Sequence, residues 1–495
     1  MSQGLTVKFK DQIYARVEGE RDILSECWDA LSYVVPGAKF TPAYKSGRWD
    51  GSIRMLNLRD QTFFKNNLGH LMKWCKEAGY DFHMPNKELF RPRVKWDPTW
   101  LDRWAEYATM EPAKHQREIV HQAMTLNQAL ILSPTSSGKT FMTYLMIRYM
   151  LENTEGQILV TVPTGGLIEQ MESDFKDYAG DLWDVEANFH KIYGGREKTT
   201  KKRLIVGTRS SIANMPTEWF ENVESYICDE AHEADKKSIT SIIDNLPHAP
   251  YRIGMTGTLN GTKIHMIELT GRFGPVINVI STRELMDIGF ATDIRIIAKR
   301  LHYKQEEKEA VKAAKDYDSE VKYVNGHADR NQMLVDDALR VPGNALVLFT
   351  FQEHRELVHK MFLEGAEAAG KIVYFIHGGI KVDERERMRK EMEHRDDVIL
   401  LASYGTLSTG ISIKNLMWVF FGHPYKSRIK NLQSIGRGIR KKEGKKFVVL
   451  VDYGDDFSYK PKTKLWQNHL LGHFIRRLEL YTDEEFEYEV IDVNM

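Results

Sequence analysis

The run ALILSPTSSGKTFMTYLMIRYML, residues 129–151, decides the fold. Its first four residues are apolar in succession, as in a strand covered on both faces, and its last eleven form an apolar stretch long enough for a buried helix. Between them stand Pro134-Thr135-Ser136-Ser137-Gly138-Lys139-Thr140. A Gly-Lys-Thr at a strand-to-helix turn suits a nucleotide. Main-chain N–H groups and the helix N-terminus hold phosphate oxygens, the lysine neutralises those of the β and γ phosphates, and the threonine hydroxyl ligates Mg²⁺. Ser133 occupies the place of the first glycine in the usual pattern. In isolation these letters also fit an ordinary Ser/Gly turn, so the reading depends on what surrounds them.

Outward from this run, short apolar segments alternate with helical ones. ILVTVP, RLIVGT, SYICDE and YRIGMTGT follow the first strand, and a second series runs ALVLFT, IVYFIH, VILLAS, WVFFGH, FVVLVD. That is the rhythm of parallel sheets with buried strands, so the expected fold is α/β with two tandem domains, each a parallel sheet flanked by helices. Ahead of them, residues 1–95 mix alternating segments with one helical stretch from Asn67 to Ala78 ending at Gly79, which reads as a small α+β domain. The expected boundaries are 1–95 for that domain, 96–280 and 281–455 for the two α/β domains, and 456–495 for a helical appendage. A charged stretch, HYKQEEKEAVKAAKDYDSEVKY, predicts a solvent-facing helix between the α/β domains.

Across 495 residues, Lys plus Arg equals Asp plus Glu at 69 each, so no global charge draws the chain to nucleic acid. Locally the balance shifts: between Lys39 and Lys95 stand 12 basic residues against five acidic, a surplus of +7. No apolar run reaches the roughly 18 residues of a membrane span, and the N-terminus lacks a signal-peptide core, so the expected location is the cytoplasm. Cys27, Cys75 and Cys228 are far apart without metal-ligand spacing and read as reduced structural thiols.

Two further clusters carry chemistry. Asp229-Glu230-Ala231-His232 ends an apolar strand, where the aspartate can hold Mg²⁺ while the glutamate orients and polarises the attacking water. Gln433-Ser434-Ile435-Gly436-Arg437-Gly438-Ile439-Arg440 places arginines at i and i+3 on one helix face. From there they could reach a γ-phosphate across an interdomain cleft and stabilise transition-state charge.

In this order the motifs resemble those of superfamily 2 helicases and translocases, whose motor is a pair of RecA-like domains. Lys139 and Thr140 match motif I, Pro163 to Gln170 motif Ia, and Gly207-Thr208-Arg209-Ser210 the place of motif Ib. Asp229 to His232 match motif II of the DEAH type, Thr256-Gly257-Thr258 motif III, Leu348-Phe349-Thr350 motif IV, Ser403 to Ser412 motif V and Gln433 to Arg440 motif VI. Gln116 lies where the family has its adenine-reading glutamine, with His115 in place of the common aromatic. Ser412 replaces a frequent aspartate, and motif III is Thr-Gly-Thr rather than Ser-Ala-Thr. With the small basic N-terminal domain and the segment ASYGTLSTGISIKNL, the layout is similar to the bacteriophage UvsW-type recombination helicases.

The resemblance implies an ATP-dependent helicase acting on branched DNA (forks, D-loops, Holliday junctions) in recombination, repair and replication. ATP and Mg²⁺ are then the cofactors, and single-stranded DNA-binding or recombination proteins are candidate partners. It implies catalytic roles for Lys139, Asp229, Glu230, His232, Gln433, Arg437 and Arg440. Nucleotide contacts fall to Gln116, Pro134 to Thr140 and Gly410, and Mg²⁺ to Thr140 and Asp229. The DNA track falls to Thr164, Gly165, Thr208, Arg209, Thr350, His377, Gly378, Ser403 and Thr406. In Tyr44-Lys45-Ser46-Gly47-Arg48-Trp49-Asp50-Gly51, Lys45 and Arg48 suit phosphates, while Trp49 is either a base-stacking wedge or a core-packed side chain. An RNA helicase of the same superfamily and an annealing protein with a vestigial motor are the alternatives. A restriction-system translocase would need a nuclease constellation, and no Pro-Asp…Glu-x-Lys pattern follows the motor.

Overall fold

A computed structural model of the chain describes residues 4–233, 236–257, 262–314, 316–376, 382–404, 413–423, 444–459 and 466–495, with the single residues 380 and 436. The chain folds as two compact units, one holding Met1–Ser133 and Gly138–Val279, the other Pro134–Ser137 and Ile280–Met495.

The first unit opens with the N-terminal module. Strands β1 (Gly4–Phe9), β2 (Tyr14–Glu18), β5 (Leu56–Asn57), β6 (Thr62–Phe64) and β7 (Asp81–His83) form a mixed sheet in the order β5-β6-β2-β1-β7, and β3 (Ser32–Val34) pairs separately with β4 (Ser52–Arg54). Helix Leu68–Ala78 stops where Gly79 turns left-handed (φ 79°), as the sequence predicts. Cys27 and Cys75 lie in this module's core.

The module is seated on the α/β domain that follows it in the same unit. Arg252 is fully buried beneath it and donates to the Gln12 carbonyl at 2.5 Å and to Gln128 Oε1 at 2.8 Å. Asn67 Nδ2 donates to the Ile267 carbonyl at 2.8 Å, and Lys65 Nζ to Gln12 Oε1 at 2.9 Å. Burial lowers the Lys65 ammonium to about 8.

In the α/β domain, β8 (Gln128–Leu132), β9 (Gln157–Val162), β10 (Phe189–Ile192), β11 (Leu204–Thr208), β12 (Val223–Cys228), β13 (Tyr251–Thr256) and β14 (Val276–Asn278) form a parallel sheet in the order β10-β11-β9-β12-β13-β8-β14. Its continuous apolar strands divide between two cores. Ala129, Ile131, Ile158 and Val160 enter one, while Leu130 and Leu159 enter the other. Period-two alternation with both faces covered produces unbroken runs in the sequence. Helix Lys139–Asn153 buries Phe141 to Ile147 without a break, which is why its sequence shows no polar face.

The second unit repeats the plan. Strands β15 (Asp293–His302), β16 (Ala345–Phe349), β17 (Ile372–Ile376), β18 (Val398–Ser403), β19 (Trp418–Phe421), β20 (Phe447–Asp456) and β21 (Glu487–Asn494) run parallel in the order β17-β18-β16-β19-β20-β15-β21. Two expectations need correction here. The charged stretch forms helices Gln305–Ala314 and Tyr317–Gly326 rather than one, and they bury Val311, Val321 and Val324. The tail is not only helical: after helix His469–Asp483 it returns as the edge strand β21 against β15. Among the described residues no helix is long and apolar enough to cross a membrane.

Candidate active site

The phosphate turn forms where β8 ends. The Ser133 N–H donates to the Thr256 carbonyl at 2.9 Å, which ties the start of the turn to the end of β13. The chain then passes through two left-handed residues, Ser136 (φ 72°) and Gly138 (φ 86°). At the second a side chain would be strained by the positive φ, and its Cβ would lie 2.2 Å from Gln116 Nε2, so that Gln116 would have to shift. Helix Lys139–Asn153 starts at once with no side chain capping its first turn, so its N-terminus presents backbone donors and the positive end of its dipole at the turn. Lys139 Nζ donates to the Ser133 carbonyl at 3.1 Å, which holds the ammonium at the turn. Thr140 follows it in the helix.

Gln116 is buried, and its Oε1 accepts the Ala113 N–H at 2.9 Å as part of the cap of helix Lys114–Leu126. The side chain thus braces both a helix start and the phosphate turn.

One strand beyond β13, β12 ends in the carboxylate pair. The Asp229 N–H donates to the Thr161 carbonyl at 2.9 Å, and Glu230 adopts a left-handed backbone (φ 47°) that is strained for a side chain of its size. Burial and the adjacent Glu230 charge push the Asp229 carboxyl above the usual carboxylate range, while Lys139 and Arg209 pull it down. Thr140 and Asp229 offer hard oxygen donors, and a divalent cation would relieve the repulsion between the two carboxylates, so the residues present fit Mg²⁺.

His232 closes the arrangement. It is buried, and its Nδ1 lies 2.6 Å from Thr256 Oγ1 and 3.3 Å from Glu230 Oε2. The phosphate turn, the carboxylates and Thr256 therefore stand at the carboxyl ends of β8, β12 and β13. In an open parallel sheet that edge is where ligands bind.

The residues expected at the DNA track divide. Thr208 ends β11, and Thr164 stands two residues past the end of the neighbouring strand β9, at the N-cap of helix Gly165–Ala179. Thr350 and Ser403 stand at the ends of the paired strands β16 and β18 in the second unit. Thr164 Oγ1 and Thr350 Oγ1 are buried without a hydrogen-bond partner among the described residues. Gly165 fits closely, since a Cβ there would lie 2.6 Å from the Tyr193 ring. Thr208 Oγ1 bonds Ser211 Oγ at 2.8 Å.

Arg209 differs from the expectation. It is buried and its Nη1 donates to the Glu230 carbonyl at 2.9 Å, so it serves the carboxylate turn. This link and the His232–Thr256 contact escape sequence reading, because the partners lie 21 and 24 residues apart with no spacing rule to join them. His377, Gly378, Thr406, Gly410, Gln433, Arg437 and Arg440 lie outside the described residues.

In the N-terminal module, Lys45 ends the short helix Pro42–Lys45 and is exposed, and Arg48 Nε donates to Ser46 Oγ at 3.0 Å. Trp49 is neither a free wedge nor a core side chain: it is half-buried, with Nε1 donating to the Ser52 carbonyl at 2.8 Å.

Two parallel α/β domains, the first carrying a phosphate turn beside an acidic pair, define a nucleotide-driven motor of superfamily 2. Three family models match in succession: "DNA helicase UvsW, N-terminal" over residues 4–85, "Type III restriction enzyme, res subunit" over 109–261, and "Helicase conserved C-terminal domain" over 330–442. The ATP-dependent DNA helicase uvsW of Enterobacteria phage T4 is 33% identical over 511 residues, spanning 99% of this chain and all of that one. Putative helicase 22 of a Sulfolobus islandicus filamentous virus is 21% identical across 90% of this chain and 79% of its own length. The crystal structure of T4 UvsW aligns over 99% of both chains at 30% identity with a TM-score of 0.51. The chain belongs to the UvsW family of ATP-dependent DNA helicases.

Proposed function

We propose that this chain is an ATP-driven motor on branched DNA that unwinds or branch-migrates forks, D-loops and Holliday junctions in recombination, repair and replication. The observation that carries the reading is the convergence of Lys139, Asp229, Glu230 and the His232–Thr256 contact at one sheet edge, in a chain that matches the T4 helicase end to end.

In this reading the turn 134–140 grips the triphosphate through its N–H groups, and Lys139 leaves the Ser133 carbonyl to neutralise β and γ oxygens. Mg²⁺ held by Thr140 and Asp229 would offset phosphate charge. Glu230 accepts the proton of the attacking water, its carbonyl fixed by Arg209. His232 relays the state of that carboxylate to Thr256 at the end of β13, one route by which hydrolysis is felt in the rest of the sheet. Arg437 and Arg440 are assigned the charge on the departing γ-phosphate by their motif, as Gln433 and Gly410 are assigned nucleotide contacts by theirs. Thr164, Thr208, Thr350 and Ser403 supply hydroxyls to the DNA backbone, with His377, Gly378 and Thr406 grouped with them by motif. Such contacts position the strand without reading its sequence.

The deciding experiment compares ATP-dependent processing of synthetic forks, Holliday junctions, linear duplexes and RNA duplexes by the full chain. Preferred turnover and strand separation on the branched DNA are expected. Equal or better activity on RNA would transfer the reading to an RNA helicase, and strand annealing without turnover would leave an annealing protein.

A further inference from the structure

The connection from β3 to β4, residues 35–51, builds a small lobe on the N-terminal module. Its fold is tight: the Val35 N–H donates to the Gly51 carbonyl at 2.8 Å, and Thr41 caps the helix Pro42–Lys45. At Gly51 (φ 83°) a Cβ would sit 3.0 Å from both Ala38 and the Tyr44 ring, so these parts are closely packed.

The lobe nonetheless leaves Phe40, Tyr44 and, at its base, Val34 in water. Phe40 is 69% exposed, Val34 at its base 75% and Tyr44 42%. A soluble surface tolerates scattered apolar residues, but a ring of this exposure with a second ring on the same short connection and an exposed valine at its base marks a contact surface.

The charge around these groups is one-sided. From Val34 to Trp49 the sequence holds Lys39, Lys45 and Arg48 and no acidic residue. The Lys39 ammonium lies 5.2 Å from the Phe40 ring centroid. Asp50, the one carboxylate within residues 35–51, is taken up by Arg54. Exposed rings interleaved with cations complement a ligand that offers flat π-faces between phosphates.

We infer that the lobe 35–51 is the surface that meets the end of a DNA duplex at a branch, with Phe40 stacking on the terminal base pair while Lys39, Lys45 and Arg48 hold the flanking phosphates. This rests on the reading of the chain as a motor on branched DNA and adds the residue that meets the bases. It also moves the aromatic role away from Trp49, whose indole is committed to the Ser52 carbonyl.

The test measures base pairs separated per ATP hydrolysed on a synthetic fork, using the full chain with Phe40→Ala, Phe40→Leu and Phe40→Trp. Removing one base–aromatic stack lowers this coupling about tenfold in Phe40→Ala and in Phe40→Leu, and Phe40→Trp restores it. The melting temperature stays at the wild-type value in all three, since the side chain is mostly in water. Wild-type coupling in Phe40→Ala, or Phe40→Leu performing as well as Phe40→Trp, overturns the stacking role while the motor reading stands. A wild-type chain that hydrolyses ATP without separating the fork overturns both.

Discussion

Ser137-Gly138-Lys139 and Ser46-Gly47-Arg48 are nearly the same tripeptide, and both glycines are left-handed, at φ 86° and 69°. Their surroundings could hardly differ more. A Cβ on Gly138 would strike Gln116 at 2.2 Å, whereas around Gly47 nothing lies within 4 Å. The first tripeptide follows a buried strand and opens a 15-residue helix; the second closes a four-residue helix on an exposed lobe. Two near-identical tripeptides thus form a closely packed turn in one place and an open cationic surface in the other. What differs is the layer of structure behind them.

The largest effect that would break this contrast is at Lys139. Lys139→Ala should lower ATP turnover by about 10²–10³-fold or more, the range for losing a preorganised charge on a reacting group, while DNA binding persists. Steady-state ATPase and fluorescence anisotropy on a fork check the two halves, and near-wild-type turnover would remove the lysine from the site. The glycines come next. Gly138→Ala should weaken nucleotide binding, because it strains the left-handed turn and displaces Gln116. Gly47→Ala should cost only the strain of a left-handed alanine, about 1–2 kcal/mol, visible as a small drop in melting temperature.

The two arginines sharpen the same comparison at smaller scale. Arg209→Met removes the donor to the Glu230 carbonyl and should slow turnover about tenfold, in line with one lost hydrogen bond from a charged group. Arg48→Ala should instead weaken DNA affinity on every sequence alike and reduce the slope of log affinity against log salt by close to one unit. A steepened or unchanged slope would show that Arg48 does not meet a phosphate.

How much of this was legible in the sequence follows from the same contrast. The phosphate turn was readable because strand, turn and helix are contiguous, and an apolar run buried on both faces leaves a continuous signal. The basic patch was readable only as a count. Lys65 contributed to it, yet its ammonium faces Gln12 and lies near Arg252 at the seat of the module on the motor domain. Arg54 contributed too, and it lies over the Trp28 ring at 3.7 Å with Asp50 as its partner. Net charge does not say which cations face water. For the same reason Arg209 read as a DNA contact: its place beside Thr208 is fixed by sequence, but its reach to Glu230 depends on strand order. The edge strand β21 was hidden because acidic residues crowd its apolar ones, a pattern that suits an exposed edge.

Lys65 gives a test read in stability and not in activity. Its folded value near 8 lies below that of an unfolded lysine, about 10.4, so between those limits the unfolded chain binds the proton that the folded one releases. Stability should therefore rise with pH from about 8 to 10 relative to Lys65→Met, by no more than about 1.4 kcal/mol per pH unit. Denaturation of both chains across that range measures the difference, and parallel curves would place Lys65 in water.

The central claim is that ATP is cleaved at the carboxyl ends of β8, β12 and β13 with Glu230 taking the proton of the attacking water. Glu230→Gln tests it most directly, because the amide keeps the shape of the side chain and cannot accept that proton. In a single-turnover experiment with saturating enzyme and forked DNA, the variant should bind ATP as tightly as the wild type and hydrolyse it at least about 10²-fold more slowly. Hydrolysis at the wild-type rate in that variant would contradict the account.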